Sequence, residues 1–292
     1  MLASRAETEV GKSMRKFLIL GLVLILVFGA LALTGCKKDD GTTTEETTTT
    51  ETETAPLDPE VQAIKDRGVL RVGVKSDVPG FGLLDPVTNE FKGMEIDMAR
   101  ALAKEIIGDE NAVEFTAVTA DTRGSLLDNG QIDMVIATFT IKPERLEQWN
   151  FSDPYYTDAV GLLVNKESGI KSLEDLRGKT IGVALSATSK DAVIAAGEEK
   201  GWTDFEFKEF ASYPEISTAL ASKQIDAFSV DRSILRGYLN ADRVLLDDEF
   251  SPQNYGIATK KTNTGLAQFV NDFVNRVKAD GTLQGWIDAN NI

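Results

Sequence analysis

From Leu57 onward the sequence predicts an α/β protein made of two similar lobes joined by a two-strand hinge. Short apolar strands alternate with amphipathic helices, which is the mark of α/β sheets. Two strand words also recur in the same order. VLRVGVKS at 69–76 matches KTIGVALS at 179–186, and LLDNGQIDMVIAT at 126–138 matches ALASKQIDAFSVD at 219–231. The 292-residue chain is long enough to bury two modest cores.

Each element has its own signal. Residues 70–74 form an apolar strand, and 94–107 carry a periodic apolar face (Met94, Ile96, Met98, Ala101, Leu102) that predicts a helix. A strand at 113–118, a short helix at 122–128 and a strand at 134–137 follow. TFTI then turns out of the sheet, and KPER opens a helix with proline in its first turn. NFSDPYY at 150–156 reads as the start of a crossover into the second lobe. There, strands are expected at 180–183, 205–210 and 226–230, with helices at 189–201, 213–221 and 232–239. Two helical stretches, 266–279 and 283–290, end the chain, split by DGT. The expected boundaries are 58–157 with 256–292 for lobe 1, and 158–255 for lobe 2. Open α/β sheets bind ligands beyond the carboxyl ends of their strands, so two facing lobes line one cleft.

Composition excludes several functions. There are 31 basic and 46 acidic residues, a net charge of −15, which argues against nucleic acid and against a basic membrane-binding patch. Without histidine there is no histidine base, His-containing triad or His-ligated zinc. The one cysteine permits no intrachain disulfide. No cofactor and no metal are expected, and the chain is expected to be a monomer.

The N-terminus accounts for that cysteine. Lys12, Arg15 and Lys16 precede an apolar run from Phe17 to Leu33, and LTGC ends at Cys36. This is a secretory signal, 1–36, whose last four residues have the form of a lipobox. That form implies cleavage before Cys36 and a diacylglycerol on its sulfur. MRKFLIL at Met14 looks like a natural start. The Thr/Glu-rich stretch that follows, taken as 37–57, has no apolar face to bury and is expected to be a disordered tether.

The stretch 133–154, DMVIATFTIKPERLEQWNFSDP, says most about function. It puts Arg145 on a helix that starts at a strand's carboxyl end. From there its planar fork can hold a carboxylate, helped by backbone N–H groups around Thr140. The repeat pairs Thr138 with Asp231, each just past a QID strand, and Lys75 with Ala184. One side of the cleft therefore offers a hydroxyl and a cation, the other a carboxylate. Asp231 also immediately precedes RSILRGYL, where an N-cap role is open to it. Phe81, Phe139 and Tyr213 are candidate walls.

These segments resemble the bacterial extracellular solute-binding proteins of family 3, the polar amino-acid receptors of ABC importers. The resemblance covers nearly everything from Leu57 to Ile292. GVKSDVPGFGLLDP, TRGSLLDNG, IATFTIKPER, NFSDPYY and IDAFSVD carry it, and they look most like the aspartate/glutamate-binding members. It implies a type II periplasmic-binding-protein-like fold, with Arg145 and the Thr140 backbone on the ligand α-carboxylate and Asp231 on its ammonium. Ser186 to Thr188 would add backbone or hydroxyl bonds to the carboxylate from lobe 2, and Lys75 and Arg123 would reach the ligand side chain. It also implies an extracytoplasmic location and an ABC permease as partner.

With Arg145 and Asp231 answering the zwitterion, Lys75 and Arg123 remain as two cations. Burying them against a neutral side chain costs several kcal/mol. Glutamate or aspartate is therefore expected first and glutamine second. The competing readings are a dehydratase on the same scaffold and a sensory domain. A dehydratase needs a protonated acid, whereas cations beside Asp231 favour its ionised form.

Overall fold

The computed structural model describes residues 57–292. Cys36, the signal segment and the tether up to Pro56 lie outside the described residues. Two mixed sheets form the frame. The first runs Val113–Ala117, Leu70–Val74, Met134–Ile136, Ala258–Lys260, Trp149–Phe151. The second runs Glu206–Phe210, Thr180–Ala184, Ala227–Asp231, Tyr156–Asn165, Arg243–Leu245. In each, the first three strands are parallel and the fourth is antiparallel to the third. This is the same topology twice, as the repeat predicts.

The repeated words turn out to be one packing unit. In lobe 1, Asp133 accepts the Arg71 N–H at 2.8 Å while its own N–H reaches the Arg71 carbonyl. In lobe 2, Asp226 accepts the Thr180 N–H at 2.9 Å and returns the same bond. A Cβ on Gly73 would meet Ile132 Cδ1 at 2.6 Å, and one on Gly182 would meet Ile225 Cδ1 at 2.4 Å. The aspartate of QID thus fixes the start of the GV strand, and the isoleucine covers its glycine. Each word needs the other, which is why they recur together.

The second strand of the hinge is Phe250–Tyr255. It runs antiparallel to the start of Tyr156–Asn165, with Gln253 opposite Asp158 and Tyr255 opposite Tyr156. Below the sheets pack helices such as Met94–Ile107 and Thr264–Ala279, whose inward faces are apolar. Among the described residues no helix is long and apolar enough to cross a membrane.

Most element ends fall within a few residues of expectation. The helix expected at 232–239 stops at Arg236. The strand Tyr156–Asn165 is a full ten residues where only a crossover was expected. A three-stranded antiparallel sheet (Asp77–Val78, Gly82–Leu84, Phe91–Lys92) was not foreseen, because strands of two or three residues show no alternation to read.

Candidate ligand-binding site

Lys75, Arg123, Thr138, Thr140, Thr188, Tyr213 and Asp231 are each no more than 7 % exposed. Arg145 is half-buried and Ser186 is exposed. Contacts link several of these candidates: Lys75 lies over the Tyr213 ring, and Arg123 and Arg145 share the Phe139 ring.

Arg145 comes from the one-turn helix Pro143–Leu146. Its guanidinium donates to the Thr140 carbonyl at 2.8 Å and, across the lobes, to the Ser186 carbonyl at 3.1 Å. Neither Glu144 nor Glu147 claims it, and Glu144 pairs with Lys142 instead. Phe139 forms a wall under both arginines, with Arg123 3.8 Å and Arg145 4.8 Å from its ring centroid. Arg123 donates to the carbonyls of Ala137 at 2.7 Å and Thr138 at 3.2 Å. Phe81 belongs to the core rather than the wall, packed edge-on against Tyr156 and Tyr255.

Asp231 heads the helix Arg232–Arg236, but its side chain makes no capping bond. It accepts from the Tyr255 hydroxyl instead. Burial, the largest effect, pushes its carboxyl up to about 7. The nearby charges of Arg123 and Arg145 pull the other way but do not prevail, which corrects the expectation that they keep Asp231 in its ionised form. Burial also lowers Arg145, to about 9, and the like charge of Arg123 adds to it. A buried carboxylate near two guanidiniums, with a hydroxyl already bonded, suits a cationic group and an anionic group presented side by side.

Of the two cations left over by the sequence reading, Lys75 is already answered, which corrects that reading, while Arg123 donates only to backbone carbonyls. Lys75 Nζ lies 3.2 Å from Asp77 Oδ1 and 4.4 Å from the Tyr213 ring centroid. The short strand Asp77–Val78 turns the Asp77 carboxylate back onto its neighbour two residues earlier. Burial lowers Lys75, and Asp77 opposes that shift. Behind Lys75 and Arg123 sits Glu95, fully buried, accepting from the Thr138 N–H and the Tyr155 hydroxyl at 2.6 Å each. Burial holds its carboxyl up at about 7. An acidic residue in a helix's first turn reads as a solvated partner of the helix dipole, so no sequence signal marked Glu95.

Two candidates sit in strained backbone. Thr138 has φ 44° and Ser186 has φ 58°. A β-branched residue rarely adopts the left-handed region, and such strain gathers at ligand-holding loops. Glu95 and Arg123 hold Thr138 there through its N–H and carbonyl. Of the backbone and hydroxyl donors expected from the Ser186–Thr188 loop, the two hydroxyls are otherwise engaged. Ser186 Oγ donates to Asp121 at 2.7 Å, and Thr188 Oγ1 donates to Gln253 at 2.8 Å. The buried Ser189 hydroxyl at the start of the next helix has no partner among the described residues.

The lobes are in direct contact. Besides the bonds from Arg145 and Ser186, Tyr238 donates to the Asp77 carbonyl at 2.7 Å and Lys142 pairs with Asp191 at 3.5 Å.

The family described as bacterial extracellular solute-binding proteins, family 3, matches residues 70–289. A glutamine-binding protein of Geobacillus stearothermophilus is 41% identical over 82% of this chain and 91% of its own length. The glutamine-binding protein GlnH of Bacillus subtilis, from an ABC transporter, is 36% identical over 92% and 94%. A solved solute receptor for L-cysteine from Neisseria gonorrhoeae superposes with a TM-score of 0.72 at 28% identity, covering 79% of this chain and 92% of that one. The fold and these relatives define a two-lobed solute-binding protein. The chain belongs to the bacterial extracellular solute-binding proteins of family 3.

Proposed function

We propose that this protein captures a polar L-amino acid as a zwitterion between its lobes and delivers it to the permease of an ABC importer. The single observation carrying this reading is the convergence of Arg145 and Asp231 from opposite lobes. The first is a half-buried fork for a carboxylate, and the second is a buried acceptor for an ammonium. The lobes close over the ligand about the paired hinge strands, with 58–157 plus 256–292 moving against 158–255.

Glutamine is the ligand to which the far end is best matched. A side-chain amide needs donors for its oxygen and an acceptor for its NH₂. Lys75 and Arg123 supply the first, and the Asp77 oxygen facing Lys75 supplies the second. A second carboxylate in the same place would face Asp77 as a like charge. Two glutamine-binding relatives among the matches point the same way. Glutamate is the second reading. It is favoured if Glu95, held up at about 7 by burial, is protonated and leaves Arg123 less compensated.

Calorimetry with all twenty amino acids is expected to give one-site binding of L-glutamine with no turnover. Asp77→Asn should weaken glutamine about tenfold or more while leaving glutamate unchanged or tighter. Wild-type preference for glutamate, with a ratio unmoved by Asp77→Asn, would establish the acidic reading instead.

The lipobox assigns Cys36 as a diacylglycerol anchor. The Thr/Glu tether then keeps the receptor near its permease without fixing its orientation. Cys36→Ser should end fatty-acid labelling of the chain. Labelling that persists in this variant would remove the anchor from the proposal.

A further inference from the structure

We propose that Gln253 is a positioning residue that links the two ligand-binding loops across the hinge and holds the lobes closed. The inference rests on the binding function proposed above. Gln253 is on a hinge strand, is 1 % exposed, and was marked by no feature of the sequence. Its Oε1 accepts two hydroxyls from opposite lobes, Thr140 Oγ1 and Thr188 Oγ1, at 2.8 Å each. Its Nε2 donates to the Ser251 carbonyl at 2.9 Å. That bond fixes which end of the amide faces the threonines, since a carbonyl can receive only the NH₂. Ser251 itself has φ 42°, at the point where the pairing register of the hinge slips between Phe250 and Pro252.

Two consequences follow. Opening the lobes moves Thr140 and Thr188 apart, so they cannot both stay on one amide oxygen. The buried Gln253 oxygen is fully satisfied only in the closed form. In addition, both threonine protons are committed to Gln253, so each hydroxyl turns only acceptor lone pairs toward the cleft. Those lone pairs suit the ligand ammonium held at Asp231 and disfavour a bare carboxylate.

The test uses the full chain with L-glutamine and L-glutamate as probes in rapid-mixing experiments. Gln253→Leu should raise the dissociation rate about tenfold or more while leaving the association rate within about twofold. Thr140→Val with Thr188→Val should do the same and add little to Gln253→Leu, because all three remove one network. Thr140→Ser with Thr188→Ser, which keeps both hydroxyls, should bring the dissociation rate back from the valine pair's value toward that of wild type. A general loss of fold would instead lower the active fraction without splitting the two rates. A dissociation rate within twofold of wild type in Gln253→Leu would overturn the proposal. A second readout is independent of the ligand. In a Cys36→Ser background, spin labels on cysteines placed at Asn111 and Glu199 should report a longer interlobe distance in ligand-free Gln253→Leu. An unchanged distance distribution would overturn the proposal. If no amino acid binds the wild type, the binding function fails, and this measurement still decides the role of Gln253.

Discussion

Asp231→Asn is expected to weaken amino-acid binding by about 30-fold to several thousand-fold, a loss of about 2–5 kcal/mol. The carboxylate is 4 % exposed, so an ammonium bound there has left water and depends on its counter-charge. Asparagine keeps the shape and can still accept from Tyr255, but it supplies no charge. The ligand cation would be buried unpaired, and that penalty dominates the loss. The fold should not suffer, because the substitution removes a buried charge whose burial already opposes ionisation. Calorimetry with L-glutamine, alongside thermal unfolding at pH 7.5, separates the two effects. Affinity within threefold of wild type would show that the ammonium is held elsewhere.

Acidification is expected to weaken ligand binding steeply, by up to about tenfold per pH unit below pH 7 for one required deprotonation. Burial, the largest cause, raises Asp231 to about 7 in the free protein, so at pH 6 most molecules carry a proton where the ammonium must go. Binding then expels that proton. Calorimetry at pH 6.5 in buffers of different ionisation heat should report net proton release. The ligand-free protein should respond in the opposite sense. Asp231 and Glu95 both have folded values near 7, above their ordinary 3.8 and 4.5. Between those limits the folded state holds more protons than the unfolded state, so stability falls as pH rises from about 4 through 7. Binding that is flat between pH 5.5 and 8 would remove Asp231 from the ammonium site. Asp231→Asn should abolish most of the dependence, and Glu95→Gln the remainder.

The sequence singled out Arg145 and Asp231 because each sits near a strand end, a position that topology alone defines. Arg145 opens a helix after a strand end, and Asp231 ends a strand that the repeat aligns with the Thr138 loop. Residues at such points face the cleft whatever the details of packing. Asp77 was overlooked although it stands two residues from Lys75. Only the turn into a strand too short to show alternation brings the two charges together. Its omission produced the surplus of positive charge that favoured an acidic ligand. Gln253 and Tyr255 had no local signal, since the threonines bonded to Gln253 and the aspartate bonded to Tyr255 lie more than twenty residues away in the chain.

The sequence by itself determined the two-lobed α/β architecture and its internal repeat. These follow from periodicity and strand order, which are properties of neighbouring residues. Tertiary structure alone decided which charges are already neutralised, which hydroxyls are already committed, and how far burial shifts Asp231 and Glu95. Desolvation and pairing depend on what the folded chain packs around a group, and that environment is assembled from strands far apart in sequence.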